Sequence, residues 1–282
     1  VSWSIYLLSK NRKIFLLDNI YGKQDGSITL KLYQSLQFGV IKLLTIILAE
    51  SALEVIPKKL WKHPVIKRYS EKRGKSPEFL LLDRSYHHAA MKSLKGNEKR
   101  GRPDIVHFAL LEALASPLNK EQLLQVYVHT VNDYMIMVNP QVRLPKNYNR
   151  FIGLMEQLFE FGKIPPAGPS LLTLTRETLS RLLQKIKPTF VLAFTRKGTP
   201  YTLEDAIAKI SREENPVVMI GGFPHGHFSC KNLKLVDEAV SIDVEMLETW
   251  TVTSRVIYEY ERAISLPKKR LSGSTTSSED SL

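Results

Sequence analysis

The sequence predicts an α/β protein on a mainly parallel sheet. Apolar runs of strand length alternate with helical periodicity through the second half, as buried parallel strands and their crossover helices do. A length of 282 residues with 43% hydrophobic content allows one large domain with a substantial core plus additions.

Residues 1–39 show no sustained period, and Gly22–Gly26 breaks what pattern there is, so they read as a weakly ordered or partly packed extension. Leu43–Leu48 is a dense run that reads as a buried strand ending at Glu50-Ser51. The basic, proline-bounded stretch Pro57–Pro77 reads as surface helix and loop, followed by the short apolar run Phe79–Leu82. Asp83 and Ser85 then offer caps for a helix through His88 and Met91.

Pro103 suits a first helical position, and Val106, Ala109, Leu110, Ala113 and Leu114 follow at helical spacing. Leu123–Thr130 and Tyr134–Val138, joined through Val131-Asn132-Asp133, form a hairpin signal. Tyr148–Phe161 is helical, and Gly162–Pro169 is a turn-rich link. Then come a helix over Leu179–Ile186, a strand over Phe190–Phe194 and a helix over Leu203–Ile210, which Thr202 and Asp205 open. The strand Val217–Ile220, the loop Gly221–Gly226, a short strand Ala239–Ile242 and a helix from Met246 to Ile264 complete the core. Pro267–Leu282, basic and then Ser/Thr-rich and acidic, reads as a disordered tail within the division 265–282; its Pro267-Lys-Lys-Arg270 is a solvated basic end or an import signal.

The net charge of +12 points to a polyanionic partner, most simply nucleic acid. The cations concentrate in three stretches: Lys58–Lys75, Arg84–Arg102 and Arg143–Arg150. No apolar run approaches bilayer length, and Val1–Leu8 lacks the pattern of a secretory signal. A single cysteine, Cys230, excludes a disulfide framework and a multi-cysteine zinc site, and suits a reducing compartment.

Several places carry candidate chemistry. In Lys99–Asp104 the proline pushes Arg102 towards an extended backbone, with Asp104 in reach and in the first helical turn. The segment is either a rigidly aimed guanidinium or a solvated basic turn. Val217–Gly226, a buried strand running into glycines, is the best cofactor candidate by spacing, although the Rossmann fingerprint is absent; a plain turn is the alternative. Lys146 and Arg150 fall four apart behind Pro145, and with Arg143 make a row suited to phosphates or a solvated helix start. His225 and His227, near Cys230, fall short of a metal-ligand set. His87-His88 reads as a capping or packed pair, and His107 and His129 as structural. Serine-hydrolase and P-loop signatures are missing, as is a recognition-helix motif for DNA.

Six motifs occur together in order: Leu44–Leu53, Leu82–Met91, Lys99–His107, Ser116–Asn119, Arg143–Phe151 and Gly221–Phe228. In these the chain, over 40–264, resembles the ribosome-biogenesis methyltransferases of the SPOUT superfamily that methylate nitrogen-1 of a pseudouridine in small-subunit rRNA; its compact form resembles the archaeal members. The resemblance implies an α/β knot, with the C-terminal backbone threaded as a deep trefoil that holds S-adenosylmethionine. It also implies a homodimer bound to rRNA, without a membrane or DNA partner, in the cytoplasm or, in a eukaryotic source, the nucleolus. Carried over by motif, Arg102 and Asp104 form the catalytic pair, with Arg102 touching RNA and Asp104 holding it. Arg143, Lys146 and Arg150 are implied as further RNA contacts. Leu192, Gly221, Gly226, Val240, Ser241, Ile242, Asp243, Val244 and Glu245 are implied around the cofactor. Leu192 and Val240 are otherwise ordinary strand core. His227 stands where that family's loop has an aspartate, and residues 1–39 fall outside its pattern. A non-catalytic rRNA-binding assembly factor on the same fold is the alternative function.

Overall fold

The computed structural model describes residues 43–274; the extension 1–39 and residues 275–282 of the tail lie outside the described part. The strands are β1 Leu44–Ser51, β2 Leu124–Thr130, β3 Tyr134–Val138, β4 Lys163–Ile164, β5 Leu172–Arg176, β6 Phe190–Pro200, β7 Pro216–Gly221 and β8 Glu238–Ser241. They form one sheet in the order β4-β5-β3-β2-β1-β7-β6-β8. Pairing is parallel from β2 across to β8 and antiparallel among β2, β3, β5 and β4. The predicted class therefore holds, with an antiparallel edge added. Two of that edge's strands were not read from the sequence: β4 is two residues inside the turn-rich link, and β5 is a half-polar Leu-Thr-Leu-Thr-Arg.

The helices are α1 Pro64–Arg73, α2 Arg84–Met91, α3 Pro103–Ala115, α4 Pro117–Lys120, α5 Tyr148–Phe161, α6 Leu179–Ile186, α7 Leu203–Ile210, α8 Cys230–Leu233, α9 Thr249–Ala263 and α10 Leu266–Ser274. Their starts follow local side-chain chemistry. Asp83 accepts from Ser85 N–H, Asn147 from Arg150 N–H and Thr202 from Asp205 N–H, each satisfying an orphan donor. α3 has no side-chain cap; Pro103 at its first position removes one of the donors that would need it.

Strand alternation builds two cores. Leu44, Ile46, Leu48 and their neighbours in β2, β7 and β6 pack against apolar faces of α3, α5, α7 and α9. Ile47, Ala49, Val217 and Met219 on the opposite face pack with α6 and Phe228. A satellite cluster under α1 and α2 contains Ile66, Leu80, Met91 and Leu94.

Four boundaries depart from expectation, the first being β6, which runs on past Phe194 to Pro200 and pairs there again with β8. β1 continues through Ser51, with Glu50 at φ 52° marking a bulge against β2. The last core helix starts at Thr249, not Met246, because Met246–Glu248 lead into it from the loop after β8. The start of the tail is helical where disorder was expected. Leu266 is buried in the main core and Arg270 pairs with Glu121 at 3.2 Å, which seats α10.

Candidate active site

β7, β6 and β8 are adjacent and parallel, so their carboxyl ends open on one side, where open α/β sheets bind ligands. A cleft of about 400 Å³ lies there, bounded by Phe194–Arg196, Ile220–Gly221, Phe223–Phe228, Val240–Asp243, Glu245–Thr249 and Val252. That volume suits a nucleoside-sized molecule. Of the expected cofactor residues, Gly221, Gly226, Val240, Ser241, Ile242, Asp243 and Glu245 line it. Leu192 does not: it is fully buried in the sheet core, two residues before the lining begins, so the ordinary strand reading holds for it. Val244 points away as well, at 90% exposure.

The walls are held from several elements. Thr249 Oγ1 donates to the Gly221 carbonyl at 2.7 Å, tying the start of α9 to the end of β7. Gly222 exchanges backbone bonds with the end of β1 and the residue after it, donating to the Ala49 carbonyl and accepting from Ala52 N–H. A Cβ at Gly222 would fall 2.1 Å from Ser51 Oγ, so this approach requires glycine. Gly226 has φ +96° and its Cα faces the stem of Lys99.

Lys99 and Glu50 form a junction that sequence reading missed. Glu50 Oε1 accepts from Ser229 N–H and Oγ at 2.7 Å each and from Asn232 Nδ2 at 2.9 Å, while Oε2 meets Lys99 Nζ at 3.0 Å. Burial pushes the Glu50 carboxyl up, but the bonds from Ser229, Lys99 and Asn232 outweigh it and hold the group below its usual range. Lys99 Nζ also donates to the His227 carbonyl and lies 4.3 Å above the Phe223 ring. Arg100 forms a two-point pair with buried Glu54, its Nε donating at 2.6 Å, and Asn132 donates to the same carboxylate. Two cations of the basic turn are thus spent inside the fold.

Arg102 is the third. Its Nε and Nη2 meet the Asp104 carboxylate at 2.8 Å and 2.7 Å, with about a third of its side chain exposed. Its Nη1 makes no hydrogen bond among the described residues. Its charge is reinforced first by the Asp104 bond and also by Glu248 on the cleft wall and by Tyr148. The expected pair is therefore formed, and it stands beside the cleft.

Arg143, Lys146 and Arg150 are exposed and make no ion pair among the described residues. Two contacts fix their segment. His107 Nε2 donates to the Pro145 carbonyl at 2.7 Å from α3, with its ring stacked on Phe151 at 4.2 Å. Burial lowers the His107 pKa, so one ring N–H is available at neutral pH for that bond. Tyr148 Oη donates to Asp83 at 2.6 Å; burial and that acceptor both push its own pKa up.

His87 and His129 are structural. His87 is fully buried, accepts the Asp83 N–H on Nδ1 at 3.0 Å, and has its pKa lowered to about 4 chiefly by burial. His129 accepts the Glu50 N–H and donates to Asp133. His227 lines the cleft; burial and then Lys197, Arg196 and Lys99 hold its imidazole below the usual range, so it is neutral where a carboxylate was expected. Among the described residues no group of three or more His, Cys, Asp or Glu is disposed to hold a metal ion, and no helix is long and apolar enough to cross a membrane.

Fold and site define an α/β protein with a ligand cleft at its strand ends and an exposed cationic edge beside it. The model of the family described as EMG1/NEP1 methyltransferase matches residues 46–261. The ribosomal RNA small subunit methyltransferase Nep1 of Staphylothermus marinus is 47% identical over 224 residues, covering 79% of this chain and 97% of that protein. Its counterpart from Pyrococcus furiosus is 46% identical over 220 residues, covering 78% and 97%. The crystal structure of Archaeoglobus fulgidus Nep1 bound to S-adenosylhomocysteine superposes with a TM-score of 0.70 at 41% identity, covering 79% of this chain and 99% of that one. The chain belongs to the EMG1/NEP1 methyltransferase family.

Proposed function

We propose that the protein transfers a methyl group from S-adenosylmethionine to nitrogen-1 of a pseudouridine in small-subunit rRNA, as a step of small-subunit biogenesis. The observation that carries this reading is the aimed Arg102–Asp104 pair beside Glu248 on the wall of the strand-end cleft. The relatives' names support the rRNA substrate, and the S-adenosylhomocysteine in the Archaeoglobus Nep1 structure supports the methyl donor.

The cleft fits that donor. Phe194, Ile242 and Leu247 offer apolar walls for an adenine, and Gly221 and Gly226 lie in the same lining. Asp243, Glu245 and Glu248 suit a molecule bearing sulfonium and ammonium charges. When bound, the donor supplies an electrophilic methyl group. Arg102 grips the RNA and stabilises the negative charge that develops on the base as nitrogen-1 gives up its proton to water and takes the methyl group. Asp104 is a positioning residue that occupies Nε and Nη2 and leaves Nη1 for the substrate. Arg143, Lys146 and Arg150 hold phosphates, and the target base turns out of its stack to reach the cleft.

Two structural features belong to the same reading. Val240 pairs with both Phe194 and Thr199, and the backbone of Gly198 packs so closely on Val240 that a Cβ would fall 2.4 Å from its N and C atoms. This doubling of β6 around β8 supports a knotted backbone. Exposed Phe108, Met246 and Tyr258, with Phe108 set edge-to-face with Trp250 at 5.3 Å, support a homodimer, which would bring two cationic edges to one RNA. A cytoplasmic or, in a eukaryote, nucleolar site of action follows from the substrate.

The test is methyl transfer to an rRNA hairpin carrying either pseudouridine or uridine, with the modified nucleoside identified by mass spectrometry. In uridine nitrogen-1 carries the ribose and has no proton to lose. Methylation of the pseudouridine hairpin at nitrogen-1 is expected. Transfer to the uridine hairpin, or none to either with the donor bound, would contradict the proposal.

A further inference from the structure

Resting on that reading, we infer that Tyr86 is a stacking platform for an unpaired base of the RNA substrate, next to the base that is methylated. Tyr86 lies on α2 with 52% of its surface exposed, and its hydroxyl makes no hydrogen bond among the described residues. One side of its ring meets Tyr69 of α1, with centroids 5.3 Å apart and planes inclined at 32°.

Tyr69 is itself buttressed. The His87 ring meets it edge-on at 4.5 Å, and Arg73 donates to its hydroxyl at 2.9 Å with the guanidinium 5.7 Å from its centroid. Arg73 ends on the buried carboxylate of Glu156 at 2.8 Å. An exposed aromatic ring is thus held still by a chain of contacts that runs into the core. His87 beneath it is neutral, so the support carries no titrating charge near neutral pH.

Position assigns the ligand. Arg84, which opens α2, donates its backbone N–H to the Gly101 carbonyl at 2.8 Å, one residue before Arg102. Asp83, the cap of α2, accepts from Tyr148, which lies between Lys146 and Arg150 in the cationic row. Tyr86 therefore sits on an element bonded to both RNA-contacting segments. Lys67, Arg68 and Lys72 of α1 are exposed and make no ion pair among the described residues, which gives a phosphate backbone its counter-charges. Single-stranded RNA is held by this combination, with cations along the backbone and an aromatic face for a base.

The experiment measures hairpin affinity by fluorescence anisotropy at several salt concentrations, for wild type, Tyr86→Ala, Tyr86→Phe and Arg143→Ala. Tyr86→Ala is expected to bind about tenfold more weakly, a typical stacking loss. Its slope of log Kd against log salt stays at the wild-type value, because no phosphate contact is lost. Tyr86→Phe keeps near-native affinity, whereas Arg143→Ala lowers the salt slope by about one. S-adenosylhomocysteine affinity, unchanged in Tyr86→Ala, reports that the variant is folded. Native affinity in Tyr86→Ala, a reduced salt slope, equal loss in Tyr86→Phe, or a shift in sedimentation that places Tyr86 between two copies of the chain would each overturn the inference. Failure of the wild type to bind the hairpin would instead overturn the proposed function.

Discussion

Lys99 Nζ lies 3.0 Å from Glu50 Oε2, and this contact bolts the basic turn to the end of β1. The same ammonium reaches the His227 carbonyl and the Phe223 ring, and three residues on the chain presents Arg102. The cleft and Arg102 are therefore built on one frame.

Replacing Lys99 by methionine keeps the stem against Gly226 and removes the charge. The loop from Phe223 to Ser229 loses its clamp, and the Glu50 carboxylate keeps its bonds from Ser229 and Asn232. The Michaelis constant for S-adenosylmethionine is expected to rise about tenfold with kcat changed far less, as for a lost ground-state contact. Steady-state kinetics at saturating RNA reads both.

The close approach of Gly198 to Val240 makes a second expectation. Gly198→Ala places a methyl group where backbone atoms lie 2.4 Å away, with no flexible side chain to yield. A loss of about 3 kcal/mol or more is expected, at the upper end of overpacking costs. Gly153 in α5 has nothing within 4 Å of a new Cβ, so Gly153→Ala should stabilise by about 0.5–1 kcal/mol. Thermal unfolding of the two variants compares them directly.

His87 sets a pH dependence. Its folded pKa, lowered to about 4 by burial, lies below the ordinary value of 6.5, so the unfolded chain binds more protons between those limits. Stability is fully present above about pH 6.5 and falls as pH drops towards 4, by up to ~3 kcal/mol from this group. Glu50, held below the usual carboxylate range, works in the same direction at lower pH: its contribution is lost as pH falls through its folded value. His87→Asn keeps an acceptor for the Asp83 N–H and should flatten the denaturant-midpoint profile between pH 6.5 and 4.

The sequence made local features legible and hid those that depend on distant partners. Caps at Asp83 and Thr202, the proline start of α3 and the apolar strands all express chemistry within a few residues. The Arg102–Asp104 pair was legible for the same reason, being two residues apart. Lys99 and Arg100 looked like members of one free basic cluster, yet their carboxylates, Glu50 and Glu54, stand 49 and 46 residues away. Glu50 hid at the end of an apolar strand; a buried acid followed by a serine at a strand end was the available signal. β5 escaped because its alternating threonines, half-buried and exposed, leave too few apolar residues to mark a strand, and Gly198 because its need for glycine comes from Val240 across the fold.

The proposed role of Arg102 is to serve the RNA and not the methyl donor. It is tested by measuring two affinities of Arg102→Ala by calorimetry, for S-adenosylhomocysteine and for the pseudouridine hairpin, alongside methyl transfer. Donor-product affinity is expected to stay within about twofold of wild type, hairpin affinity to fall at least about tenfold with loss of a charge-assisted contact, and transfer to be lost. Native hairpin affinity and native transfer in Arg102→Ala would contradict it.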